Sequence, residues 1–280
     1  SGAAPVFERI SMRKIGQSLR VSSGFLLLAG TLSASGLQFV ATLDSIRITA
    51  EPGQTVNRDF SLRLAREQPD TQFRVAAADF WRSEDGKQSQ YAVPGTLARS
   101  CGEWLTLSPT ERLVTVDQPL AVRISVAVPL TAEPGGYWCV LTVRQVPDPR
   151  AQAEPGVRVR FLASVTVGIF VNIEPLNRSM KVTAVDLGAA LAEITVLNDG
   201  NVPIGVEGRL EFRKPGEEKP VWEVAIARHT VFTEPLRTAR LTASLPDSRV
   251  LPSGEYLVRA VLDYGVDHFL GVQRRVRIER

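Results

Sequence analysis

From about residue 40 onward, apolar and polar positions alternate in short runs broken by Pro, Gly, Asn and Asp. Alternation at period two is the mark of a β-strand with one face on a core and one in water. Helical spacing is nearly absent. The runs in the first half are "SIRITA" (45–50), "RDFSLRLA" (58–65), "QFRVAAADFW" (72–81), "EWLTLS" (103–108), "LAVRISVAV" (120–128) and "YWCVLTVRQV" (137–146). The second half continues with "VRVRFLASVTVGIFVNI" (157–173), "MKVTAVDL" (180–187), "LAEITVLN" (191–198), "IGVEGRLEFR" (204–213), "TARLTASL" (238–245), "GEYLVRAVLDYG" (254–265) and "QRRVRIER" (273–280). Many short strands with turns between them predict an all-β sandwich architecture. The polar stretch 83–100 reads as a long loop or a ragged edge.

The pattern repeats. "LTAEPGGYWCVLTV" and "RVLPSGEYLVRAVL" share a Pro, a Gly-bearing turn, a Tyr and an alternating strand. Tyr137 and Tyr256 thus fit a tyrosine corner, in which a buried ring sends its hydroxyl back to nearby backbone. A chain of 280 residues also exceeds one small domain, at roughly 100–200 residues each. Two Ig-like sandwiches in tandem are expected, 37–174 and 175–280, joined near "IEPLNRS" (173–179).

Charge narrows the partners. The net charge is +3, with 33 Lys and Arg against 30 Asp and Glu. The basic residues alternate with apolar ones, as in "RRVRI", and form no stripe interleaved with stacking aromatics, so nucleic acid is not an expected partner. Met12, Arg13, Lys14 and Arg20 followed by "GFLLLAG" (24–30) and small residues at 33–36 read as a signal peptide. Residues 1–36 are then upstream residues and leader, and the working chain starts near Leu37, in the periplasm or secreted. The apolar stretch is too short for a stable membrane span. An amphipathic N-terminal helix is the other reading of the same residues.

Export bears on Cys101 and Cys139, the only two cysteines. In an oxidising compartment a disulfide is their expected state, adding roughly 3–4 kcal/mol in the chain-entropy model. Two separately buried thiols are the alternative. Metal binding lacks ligands, because His229 and His268 are the only histidines and neither has metal-ligand spacing. A redox pair would favour C-x-x-C spacing.

The order "ATLDSIRITAEPG" (41–53), "WLTLSP" (104–109), "LAVRISVAVP" (120–129), "GGYWCVLTV" (135–143) and "GIFVNIEP" (168–175) resembles the N-terminal domain of periplasmic pilus chaperones, the PapD-like family. The second half resembles the Ig-like domain that follows in such proteins, so the resemblance covers about 41–280. It implies a chaperone whose long strand completes the unfinished sandwich of a pilus or surface-fibre subunit. Here that strand is "FLASVTVGIFVN", in which Ala163, Val165, Val167 and Ile169 share one face with Phe161 and become the expected partner contacts. The resemblance further implies a pair of basic residues holding a terminal carboxylate. Arg47 stands at the place of the first. Gly168 stands near the place of the second, a Lys, and no Lys lies in 157–175.

No catalytic motif, cofactor signature or metal site is evident, so no enzyme is expected. "DFWRSEDG" (79–86) gathers carboxylates beside aromatics. A sugar-binding or glycosidase pair is one reading of it, and solvation of a strand end is the simpler one. "NRS" (177–179) is a formal glycosylation sequon in a chain with a bacterial-type leader. A structural or adhesive two-domain protein without chaperone activity is the alternative overall function.

Overall fold

The computed structural model describes residues 8–13, 38–41, 45–66, 68–147, 162–246 and 251–279. These form strands and a single 3-10 turn, Gly102–Trp104. In chain order the strands are β1 (Glu8–Arg13), β2 (Phe39–Ala41), β3 (Ser45–Thr49), β4 (Thr55–Leu64), β5 (Thr71–Arg82), β6 (Ser89–Ala92), β7 (Leu105–Ser108), β8 (Glu111–Val114) and β9 (Leu120–Ala127). They continue as β10 (Gly135–Gln145), β11 (Ser164–Ile173), β12 (Met180–Leu187), β13 (Leu191–Asn198), β14 (Ile204–Arg213), β15 (Trp222–Val231), β16 (Thr238–Ser244), β17 (Gly254–Asp263) and β18 (His268–Ile278). The expected leader, apart from Met12 and Arg13 in β1, lies outside the described residues, as do 157–161.

The chain divides into two compact units. One comprises Val21–Phe80 with Tyr91–Leu176. The other comprises Ser1–Arg20, Trp81–Gln90 and Asn177–Arg280.

The first unit is a sandwich of two sheets, β2-β4-β9-β7 and β3-β11-β10-β5-β6, with β8 also on β5. Phe60, Leu62, Ile124 and Val126 from one sheet meet Phe73, Leu141, Val143, Val167 and Ile169 from the other in one apolar cluster. Each fully buried side chain of this size contributes about 1.5–3 kcal/mol. β10 departs from simple alternation, since Gly135 to Val143 are buried on both faces. Trp138 lies on its non-core face and donates its indole N–H to the Phe80 carbonyl at 2.8 Å.

The second unit is also a sandwich, of β1-β18-β17-β14-β15 and β12-β13-β16. Ile194, Val196 and Leu241 supply buried residues on one sheet, and Leu210, Phe212, Val258 and Leu262 on the other. Asn198 is fully buried. Its amide donates to the carbonyls of Val202, Val231 and Phe232 at 2.9, 3.1 and 3.0 Å. One side chain thus satisfies three backbone acceptors that would otherwise be costly to bury.

The all-β, two-sandwich fold matches the alternation. Both expected tyrosine corners are present: Tyr137 donates to the Glu133 carbonyl at 3.2 Å and Tyr256 to the Pro252 carbonyl at 2.8 Å. The alternation missed β1, β2, β6, β8 and β15. β6 and β8 have only four residues each. In β15 the pairing with β14 shifts register between Val206 and Gly208, and such a bulge breaks the period-two pattern on which strand recognition rests.

Candidate partner-binding edge

β2 and β3, close in sequence, belong to different sheets. β2 pairs with β4 in one sheet, and β3 pairs in parallel with β11 in the other. β3 covers β11 only from Gly168 to Asn172. Ser164 to Val167 pair with β10 on one side, and among the described residues no strand lies along their other side. Residues 42–44, between β2 and β3, lie outside the described residues.

The side chains of β11 divide by parity. Val165 packs on the core, and Val167 and Ile169 are buried within it. Ala163, just before the strand, is half-buried and tied to β10: its N–H donates to Gln145 Oε1 at 3.1 Å, and its carbonyl accepts from the Gln145 N–H at 2.9 Å. The expectation that this face meets a partner is corrected for Val167 and Ile169. Branched side chains on this parity fill the sandwich, because the domain has no other way to close its core beneath β11. The opposite face is the outward one, with Ser164 and Thr166 exposed and Phe170 half-buried. Leu162 is also exposed, at 48 %.

Arg47 is exposed on β3, and its guanidinium carbon lies 4.7 Å from the centre of the Phe170 ring. That is cation–π range. Gly168 makes room for the arrangement, since a Cβ there would come within 2.9 Å of the Phe170 ring. A side chain at this position would have to push the Phe170 ring aside.

Cys101 and Cys139 are brought together, both fully buried. Their sulfurs lie 2.8 Å apart, beyond the roughly 2.05 Å of an S–S bond, so the expected disulfide is corrected to two free thiols in contact. The Cys101 thiol also points at the Ile169 carbonyl, 3.8 Å away, so the pair sits directly behind β11. Burial pushes the Cys101 thiol well above its ordinary pKa, and the hydrogen bond with Cys139 adds to the rise. Cys101 is accordingly a poor nucleophile.

The carboxylates of "DFWRSEDG" serve separate structural tasks. Asp79 is fully buried; it accepts the Leu97 N–H at 2.7 Å and the Ser100 hydroxyl, and so ties down the 94–102 loop. Asp85 closes a turn with the Ser83 hydroxyl at 2.6 Å, a bond that holds its carboxyl below the usual range, helped by the Lys87 N–H. Glu84 pairs with Arg240 at 3.1 Å. Among the described residues no group of three or more His, Cys, Asp or Glu could hold a metal ion.

No protein-family model and no curated protein matches the sequence. Its structural neighbours include fimbrial chaperones. The class 5 fimbriae chaperone CfaA is similar at 10 % identity, covering 87 % of this chain and 100 % of that one, with a TM-score of 0.47. The Escherichia coli chaperone DraB is 13 % identical over 87 % of this chain and 98 % of its own, with a TM-score of 0.43. The Pseudomonas aeruginosa CupB2 chaperone is 13 % identical over 86 % of this chain and 100 % of its own, at 0.44. Among the described residues no helix is long and apolar enough to cross a membrane.

Proposed function

We propose that the chain is an exported, periplasmic chaperone-like binding protein, and not an enzyme, that holds an extended strand of a pilus or surface-fibre subunit along β11 by β-augmentation. The observation that carries this reading is the outward face of β11, exposed at Ser164 and Thr166 and flanked by exposed Leu162 and by Arg47 over Phe170. Backbone pairing supplies affinity in β-augmentation, and the outward face supplies selection. Arg47 suits a carboxylate of the bound segment, because a guanidinium presents a planar fork of donors. No cofactor takes part.

The test is native mass spectrometry of the protein purified from the periplasm of its host. A stoichiometric complex with a second secreted polypeptide is expected. The double change Thr166→Lys with Gly168→Asp places charges on the outward face and is expected to abolish that complex while the chain stays folded. A complex that survives the double change refutes strand pairing at β11. A lone chain supports the structural or adhesive alternative.

A further inference from the structure

The turn Ser83–Gly86 is part of the second unit, to which Trp81–Gln90 belongs. β15 is the last strand of one sheet of that sandwich and β16 the last of the other, and the turn touches both. Arg240 of β16 donates its backbone N–H to the Glu84 carbonyl at 2.7 Å, and its guanidinium pairs with Glu84 Oε2 at 3.1 Å. Gly86 packs on His229 of β15. Its φ is +69°, and a Cβ there would run into Cε1 and Nδ1 of the imidazole. Only glycine brings the backbone this close in this conformation.

The turn keeps its own shape. Gly86 donates its N–H to the Ser83 carbonyl at 2.8 Å, and the Ser83 hydroxyl donates to Asp85 at 2.6 Å. Its hold on β16 runs through a backbone bond and an ion pair whose side chains are 42 % and 46 % exposed, and an exposed pair contributes little. Its hold on β15 runs through His229, which is half-buried. Arg82 and Asp85 face the imidazole from the side of the turn. Val206 stands opposite it on β14. Arg240 of β16 is taken up by Glu84, and the guanidinium of Arg228, its neighbour on β15, lies over Gly205. Burial and then Arg82 hold the His229 imidazole below its ordinary range, against the pull of Asp85. A proton on His229 therefore costs more while Gly86 covers the ring than when water reaches it.

We propose that Ser83–Gly86 is a proton-operated latch, seated on β15 and β16 while His229 is neutral and lifted when His229 takes up a proton. The uncovered ring titrates near pH 6.5, and the covered ring titrates lower. Opening therefore stays at its low level above that pH and rises below it, because the lifted state binds more protons. Between pH 7.5 and pH 5.5 the lifted form gains at most about tenfold, the factor by which an uncovered imidazole is protonated at pH 5.5. Asp85, held below its usual range by the Ser83 hydroxyl, stays charged over this interval and tempers the response. The inference stands apart from the β11 reading.

The test is native-state amide hydrogen exchange of the full chain at pH 7.5 and pH 5.5, with the intrinsic exchange rates divided out. The Arg240 N–H reports the latch, because its acceptor is the Glu84 carbonyl. Its protection is expected to fall several-fold at pH 5.5 and to be insensitive to sub-denaturing urea, the mark of a local opening. The Ile194 N–H, in β13 at the core, is expected to be far better protected and to lose protection as urea rises. His229→Gln is expected to abolish the pH response at Arg240, with His229→Asn taking its place if the first variant does not fold. Gly86→Ala is expected to leave Arg240 poorly protected at both pH values. The proposal is overturned if Arg240 exchange ignores pH, if it follows urea as Ile194 does, if the response survives removal of the imidazole, or if Gly86→Ala keeps Arg240 protected.

Discussion

β11 and β18 each take a strand from an earlier part of the chain, β3 on β11 and β1 on β18, and they differ in the side chains they carry. β11 is neutral: Ser164, Thr166, Gly168 and Phe170 face outward over a fully apolar inner row. β18 is basic along Arg274–Arg277 and carries an arginine even on its inward face. An inward-pointing charge is one of the devices by which edge strands avoid indiscriminate pairing.

The sharpest break in this comparison is in the cores behind the two strands. Ile169→Ala, which opens a hole in the first sandwich, is expected to cost about 2–5 kcal/mol. Val276→Ala, at a half-buried position on β18, is expected to cost about 1 kcal/mol, the worth of the apolar surface removed. Denaturant titration of each variant measures both. Equal costs contradict a closed core behind β11 and a partly exposed one at Val276.

The two tyrosine corners give a smaller contrast. The Tyr137 hydroxyl donates to the Glu133 carbonyl and accepts the Glu133 N–H at 3.1 Å, whereas Tyr256 is recorded with one bond of this kind, to Pro252. At about 1 kcal/mol per hydrogen bond, Tyr256→Phe is expected to cost about 1 kcal/mol and Tyr137→Phe up to about 2 kcal/mol. Thermal melts of the two variants rank them, and the reverse order breaks the assignment.

The smallest effect is acid sensitivity confined to one unit. Both histidines lie in the second, at 229 and 268. Burial lowers the pKa of His229, the nearby Arg82 lowers it further, and Asp85 partly opposes them. The folded state thus resists a proton that the unfolded chain takes up near pH 6.5. Stability is full above that pH and falls as the pH drops below it, because the unfolded state then binds more protons. Amide hydrogen exchange at pH 7 and pH 5.5 is expected to show the second unit weakened more than the first, with His229→Gln reducing the difference. Equal weakening excludes His229 as its source.

Strand positions were readable wherever alternation was strict, as in "LAVRISVAV", whose burial follows the pattern residue by residue. The tyrosine corners and the meeting of Cys101 with Cys139 were also readable, since a repeated turn and two lone cysteines leave few arrangements. β15 was not, because its bulged pairing breaks the period. The face of β11 was assigned to a partner when the core claimed Val167 and Ile169. Parity tells which residues share a face, but the resemblance to a strand-donating chaperone put the apolar face of β11 toward a partner, whereas a second sheet covers it.

Composition and periodicity by themselves determined the all-β class, the strand alternation and the corner tyrosines, because these depend on contacts a few residues apart. Only the tertiary structure decided that β3 pairs with β11, that β1 pairs with β18, and that Arg47 lies over Phe170. An edge is open or closed according to which distant strands arrive beside it. That is a property of residues far apart in the chain and close together in space.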